Sequence, residues 1–281
     1  PLYSSAASDV YKRQLLDVTP AEFIENPRIL GDLVGPGQLA VLVVPVDKEA
    51  PRGRLILPQA QTIRDLLDGR AMSLVVQDTE LPAALARLRR PPQLVITDSQ
   101  AFSSVAAVVP ADVPLTSFSI LFSRYKGDLL TQVAGALEID CLASGDRVLV
   151  AEACSHHPIS DDIGRVKLPR WLNRRVGGTL RFDTVQGHDF PEDVSRYRLV
   201  LHCGACMLNR REVLNRIEQC RVQGVPVTNY GLAISYSLGI FERALEPFPQ
   251  ALELTRRSKP GLAAAPRLAA DGAPAADAGR G

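Results

Sequence analysis

The feature that most constrains this chain is an alternation of short β-branched runs with helix-patterned segments, met twice along its length. After the turn Gly35-Pro36-Gly37, Leu39-Ala40-Val41-Leu42-Val43-Val44 reads as a strand and residues 60–67 as a helix with Ile63, Leu66 and Leu67 on one face. Strand 73–76, helix 81–89 and strand 93–97 follow. Helices over 99–108 and 120–137 then flank a short extended piece at 115–118. The second round opens at Asp146, where Arg147-Val148-Leu149-Val150-Ala151 reads as a buried strand, and continues with strands at 179–182, 197–201 and 225–228 and helices from Asn209 to Gln223 and over 233–245. Such alternation predicts an α/β fold of two domains, each a mainly parallel β-sheet flanked by helices, because parallel neighbours need a crossover and a helix supplies it. The 281 residues leave room for two domains, assigned to 35–140 and 141–250.

The termini read differently. The N-terminal residues hold no apolar stretch able to act as a secretion signal. The run Asp9-Val10-Tyr11-Lys12-Arg13-Gln14 looks like a translated sequencing adapter, so residues 1–14 are taken as non-native, 15–34 as a linker, and the chain as the C-terminal part of a longer protein. Residues 251–281 are assigned to a disordered tail, because Pro260 to Gly281 is mostly Ala, Gly and Pro without an aromatic residue. A net charge of +1 gives no global electrostatic case for nucleic acid. The longest apolar run, 39–46, has eight residues and is far too short to span a bilayer.

Chemistry is concentrated at the ends of two strands in the second domain. Cys154-Ser155-His156, forty-five further residues and His202-Cys203-Gly204-Ala205-Cys206 form the pattern C-x-H-x45-H-C-x-x-C. Parallel α/β sheets bind ligands outside the carboxyl ends of their strands, so Cys154, His156, His202, Cys203 and Cys206 are expected to converge there, with Asn229 and Tyr230 nearby. Five cysteines, three of them clustered with histidines, read as metal binding in a reducing compartment and not as a disulfide framework. Three thiolates and an imidazole suit a structural zinc or an iron-sulfur cluster, and spacing leaves both open. In a 4Fe-4S cubane the fourth iron would fall to His156, His202, Asp161, Asp162 or an exogenous group. Gly204 is expected to supply the tight backbone of the C-x-x-C loop. The helix from Asn209 aims its positive end at Cys206 and adds Arg210 and Arg211, which favours thiolate.

These segments resemble a known family. Glu152-Ala153-Cys154-Ser155-His156-His157-Pro158, Asp161 through Lys167, Leu201 through Arg211, Gly224 through Gly231 and Ala233-Ile234-Ser235-Tyr236 are similar to the iron-iron hydrogenase maturation factor HydF, as are Val46 through Gln59 and Leu115 through Phe122. The resemblance, spanning about Thr19 to Pro249, implies an N-terminal GTPase domain, a middle dimerisation domain and a C-terminal cluster domain. No G-x-x-x-x-G-K-[ST] loop occurs in the sequence, so GTP binding and hydrolysis would belong to a missing domain, and the chain itself is expected not to be an enzyme. Cys154, Cys203 and Cys206 match the family's three cluster cysteines, and His156 and His202 match its histidines. The implied function is a cytoplasmic scaffold that carries a 4Fe-4S cluster and a di-iron precursor bearing CO and cyanide. Its implied partners are apo iron-iron hydrogenase, the radical-SAM maturases and a second copy of itself. A zinc-stabilised interaction module is the competing reading.

The remaining candidates have plainer expectations. Cys220 shares a helix face with Val213 and Ile217 and reads as core, as does Cys141. His157 reads either as a donor supporting a ligand or as a side chain facing away from the site, and His188, between Gly187 and Asp189, as a loop residue. Arg165, Lys167, Arg170, Arg174 and Arg175 read as a solvated helix face, and Trp171 as a partly buried indole. Asp47, Lys48, Glu49 and Arg52 are expected to form ion pairs near a strand end.

Overall fold

The computed structural model describes residues 28–45, 55–153 and 162–258. Among the described residues, eight strands form two four-stranded sheets in which every pairing is parallel. The first contains β1 (Leu39–Val43), β2 (Met72–Val76), β3 (Leu94–Thr97) and β4 (Leu115–Ser117) in the order β2-β1-β3-β4. The second contains β5 (Arg147–Glu152), β6 (Arg181–Gln186), β7 (Leu199–His202) and β8 (Val227–Asn229) in the order β6-β5-β7-β8. The same strand order is therefore used twice, in two parallel sheets of the kind the alternation predicts. The likeness extends to sequence: Thr116-Ser117-Phe118-Ser119-Ile120 leaves β4 much as Thr228-Asn229-Tyr230-Gly231-Leu232 leaves β8. At both exits a polar side chain caps the following helix, Ser117 accepting from the Ile120 amide and Asn229 from the Leu232 amide.

The helices are α1 (Leu57–Asp68), α2 (Leu81–Ala86), α3 (Phe102–Val108), α4 (Phe118–Lys126), α5 (Leu129–Leu137), α6 (Leu168–Val176), α7 (Arg210–Val222), α8 (Tyr230–Ser237), α9 (Phe241–Leu245) and α10 (Pro249–Ser258). Two expected helices are each divided. The segment 120–137 breaks at Gly127, where α4 ends, and Asp128 caps α5 by accepting from the Thr131 amide. The segment 233–245 breaks at Gly239, whose φ of 74° lies in the left-handed region. In both places apolar periodicity runs on across the break and hides it. Helix α10 also corrects the assignment of 251–281 to a disordered tail: Ala251 and Thr255 are buried, and Leu252 and Leu254 join the core, so residues 251–258 are ordered by packing. Residues 259–281 lie outside the described residues.

The two halves share one core. Strand alternation sends Val148, Val150, Leu199 and Leu201 into the same apolar cluster as Val41, Leu42, Ile96 and Leu115. The opposite face, Leu149, Ala151 and Val200, packs with Val213, Ile217 and Cys220 of α7. Helix α8 is buried along its whole length and touches α4, α5 and α6, which places it between the halves. The connections exchange partners. Helix α5, from the segment between the sheets, lies on β8, and α9, which follows the second sheet, lies on β4. The Thr116 hydroxyl donates to the Ala244 carbonyl at 3.0 Å, and Arg243 donates to the carbonyls of Pro110, Ala111 and Val113.

Candidate metal centre

Strand β7 ends on His202, and its ladder with β5 continues one step further through the Cys203 amide, which donates to the Ala151 carbonyl at 3.0 Å. The C-x-x-C loop therefore leaves the sheet beside the end of β5, where Ala153 immediately precedes Cys154. Cys203 Sγ accepts hydrogen bonds from the Ala153 amide at 3.0 Å and the Ala205 amide at 3.4 Å. The turn that aims the second amide is made at Ala205, with φ 53°, and not at Gly204 as expected from composition. A left-handed alanine costs free energy that surrounding structure must offset, and Ala205 is accordingly buried. Gly204 faces Ser119, whose hydroxyl lies 3.8 Å from where a Cβ would stand. After the loop, Asn209 accepts from the Glu212 amide and starts α7 with its positive end toward Cys206, as the sequence predicts.

His202 is 1% exposed and both ring nitrogens are engaged. Arg216 Nη1 lies 3.3 Å from Nε2, and guanidinium can only donate, so Nε2 accepts and Nδ1 carries the proton toward the Cys203 carbonyl at 3.0 Å. Burial pushes the pKa of His202 down to about 4, against the Cys203 bond and with the Arg216 charge assisting. The ring is thus placed as a neutral brace behind the loop. Arg216, itself buried, also pairs with Glu212 at 3.1 Å, donates to the Gly187 carbonyl at 2.8 Å and lies over Phe190. On the other side of the loop, Lys126 at the end of α4 donates to the carbonyls of Ala205, Cys206 and Leu208 at 2.9, 3.0 and 2.8 Å. Burial pushes its pKa down while the Cys206 and Cys203 thiols beside it push it up.

At the end of β5, the buried Glu152 carboxylate accepts from Arg165 at 3.0 Å and Gln186 at 3.2 Å. A Cβ at Gly164 would stand 2.9 Å from Glu152 Oε1 and 2.3 Å from the Tyr230 hydroxyl, so a larger residue there would have to displace both side-chain ends. Asp162 is buried and caps the turn Ile163–Lys167 by accepting from the Arg165 amide at 2.8 Å. Asn229 joins the halves: its side chain donates to the Ser119 carbonyl at 2.7 Å.

Of the expected ligands, His202, Cys203 and Cys206 lie together on this loop, whereas Cys154, His156, His157 and Asp161 fall outside the described residues, as do Asp47, Lys48, Glu49 and Arg52. Among the described residues no three His, Cys, Asp or Glu side chains form a metal-holding group. The basic run is largely engaged: Arg165 pairs with Glu152, Arg175 with Asp140, and Lys167 donates to Gln100. Cys220 is core, its thiol pushed up to about 12 by burial. Cys141 is exposed on the turn Glu138–Cys141, contrary to the core reading, because Ile139 takes the inward position of that turn. The roles of Lys126, Glu152 and Arg216 are not signalled by the sequence, because each depends on partners distant in the chain: the loop carbonyls for Lys126, Arg165 and Gln186 for Glu152, and His202, Gly187 and Phe190 for Arg216.

Two backbone amides on one sulfur, an ammonium beside both thiols and a helix N-terminus suit a thiolate-ligated metal or cluster. The described donors fit such a group. A family model described as the Hydrogen maturase F dimerization domain matches residues 29–127, and one described as the Hydrogen maturase F tetramerization domain matches residues 130–247. Their seam coincides with the break between α4 and α5. A search of curated proteins gave no match. The two matches cover most of the chain and both sheets, and the chain therefore belongs to the hydrogen maturase F family, of which it carries the dimerisation and tetramerisation domains.

Proposed function

We propose that this chain serves hydrogenase maturation as a scaffold holding a 4Fe-4S cluster through Cys154, Cys203 and Cys206, with the fourth iron left to His156, Asp161 or an exchangeable exogenous group. The observation that carries this reading is the doubly hydrogen-bonded Cys203 sulfur at the shared carboxyl edge of β5 and β7. Amide donors stabilise thiolate and, with the nearby Lys126 charge, an anionic cluster. His202, with both nitrogens committed, acts in this reading as the brace of the loop and not as a ligand.

The cargo is a di-iron precursor bearing CO and cyanide, received from radical-SAM maturases and passed to apo iron-iron hydrogenase in the cytoplasm, while GTP acts only through a further domain. Among the described residues no helix is long and apolar enough to cross a membrane. Self-association follows from the two matched domains, and the outer edge of β2 is the proposed surface: among the described residues β2 pairs with β1 alone, and it exposes Met72 and Val75. The test is iron, sulfide and zinc analysis after anaerobic reconstitution of the chain and of Cys203→Ala and Cys206→Ala. Both variants are expected to stay folded and lose iron. Full iron retention by either, or one tightly held zinc with no reconstitutable iron, would replace the scaffold reading with a zinc-stabilised module.

A further inference from the structure

The C-x-x-C loop is fastened to the first half of the molecule by a reciprocal pair of cations. Lys126, on α4, donates to three carbonyls of the loop, those of Ala205, Cys206 and Leu208. Arg210, the first residue of α7, donates back to the carbonyls of Tyr125 and Gly127 at 2.8 and 3.3 Å, which are the carbonyls that α4 leaves open at its end. Each cation therefore closes the other's helix-and-loop segment. Lys126 is 7% exposed, and its ammonium also lies 5.6 Å from the centre of the Phe122 ring. Three simultaneous donated bonds require the protonated ammonium, which has three hydrogens and no lone pair. These partners are carbonyl dipoles and an aromatic face, and the ammonium charge also acts on the two neighbouring thiols.

We infer that Lys126 is a positioning residue of the Cys203–Cys206 loop, fixing its backbone from α4 and setting an ammonium countercharge beside whatever the two sulfurs bind. The charge part rests on the cluster reading; the backbone part does not. Geometry and charge separate by substitution. Lys126→Met keeps the stem and loses both donors and charge. Lys126→Arg keeps the charge, but its planar fork cannot converge three donors on three carbonyls as a tetrahedral ammonium does.

Backbone hydrogen exchange of the metal-free full chain reads the first effect. Peptides covering 203–209 are expected to exchange on the order of tenfold faster in both variants, with distant segments unchanged. The midpoint potential of the reconstituted protein reads the second. Lys126→Met is expected to make reduction on the order of tenfold less favourable, about 59 mV lower for a one-electron couple, and Lys126→Arg to stay at the wild-type value. A folded Lys126→Met with wild-type exchange at 203–209 and an unshifted potential overturns the inference. Should Lys126→Met fail to fold, wild-type exchange in Lys126→Arg overturns the positioning role. A wild-type chain that takes up no iron instead sinks the cluster reading, and the exchange comparison then decides the backbone role alone.

Discussion

Replacing Gly135 with alanine sets two effects of known size against each other. In an isolated helix the change is favourable by about 1 kcal/mol, because glycine loses more backbone entropy on ordering. Here Gly135 is buried on the face of α5 that lies against β8, and an added Cβ would stand 2.1 Å from the Val227 carbonyl oxygen and 2.6 Å from its carbon. Carbon needs roughly 3.5 Å from such atoms, so helix and strand must separate by about 1 Å or more. The obstacle is backbone and has no rotamer to change. Overpacking of this kind costs about 1–3 kcal/mol, occasionally more, and the top of that range applies because α5 is also held by α10. The net expectation is a loss of about 2 kcal/mol, which lowers the melting temperature by about 4–8 °C for a protein of this size. The assay is urea and thermal unfolding followed by circular dichroism, with Ala134→Gly, on the exposed face of the same helix, as the propensity control. A Gly135→Ala protein as stable as wild type would refute the seating of α5 on the second sheet and the exchange of helices between the halves.

Two further outcomes follow from the brace behind the loop. Arg216→Met removes a buried cation and leaves His202 Nε2 and the Gly187 carbonyl without their donor, and the half-exposed Glu212 can turn to water; chemical denaturation is expected to show a loss of about 3 kcal/mol. Stability of the metal-free protein should also depend on the His202 ring. Between its ordinary value of 6.5 and the folded value of about 4, the unfolded chain holds a proton that the folded one does not, so stability falls as the pH is lowered through that window. The full difference is worth about 3 kcal/mol. Denaturation midpoints from pH 7 to pH 4 check this, and His202→Gln should flatten that dependence.

How much of this was legible beforehand follows from what each feature depends on. The central strands stand out because Val41-Leu42-Val43, Val95-Ile96 and Val148-Leu149-Val150 are buried on both faces, as parallel strands between helix layers require, whereas the half-exposed edge strand β6 runs over 181–186 and not over the expected 179–182. The C-x-x-C loop is legible because ligand spacing is local, and the family resemblance agrees with the family models that match the chain. The exchange of α5 and α9 is not legible, because it depends on close approach between segments far apart in the chain, as at Gly135 and Val227 or Thr116 and Ala244. Gly127 and Gly239 break helices whose apolar faces continue on both sides. Arg216 looks like a surface residue of α7, and it is covered by Phe190 and Gly187, delivered by the loop after β6, and by His202 at the end of β7. Ala205 is the hardest case, since nothing in an alanine announces a left-handed turn.

The central claim is that the edge shared by β5 and β7 holds a 4Fe-4S cluster. Low-temperature paramagnetic resonance of the anaerobically reconstituted, dithionite-reduced chain, read beside its iron and sulfide content, tests this most directly. About four irons and four sulfides per chain, with a reduced-cubane signal that disappears in Cys203→Ala, is the predicted result. A resonance-silent protein that holds a single zinc through the same cysteines would contradict it.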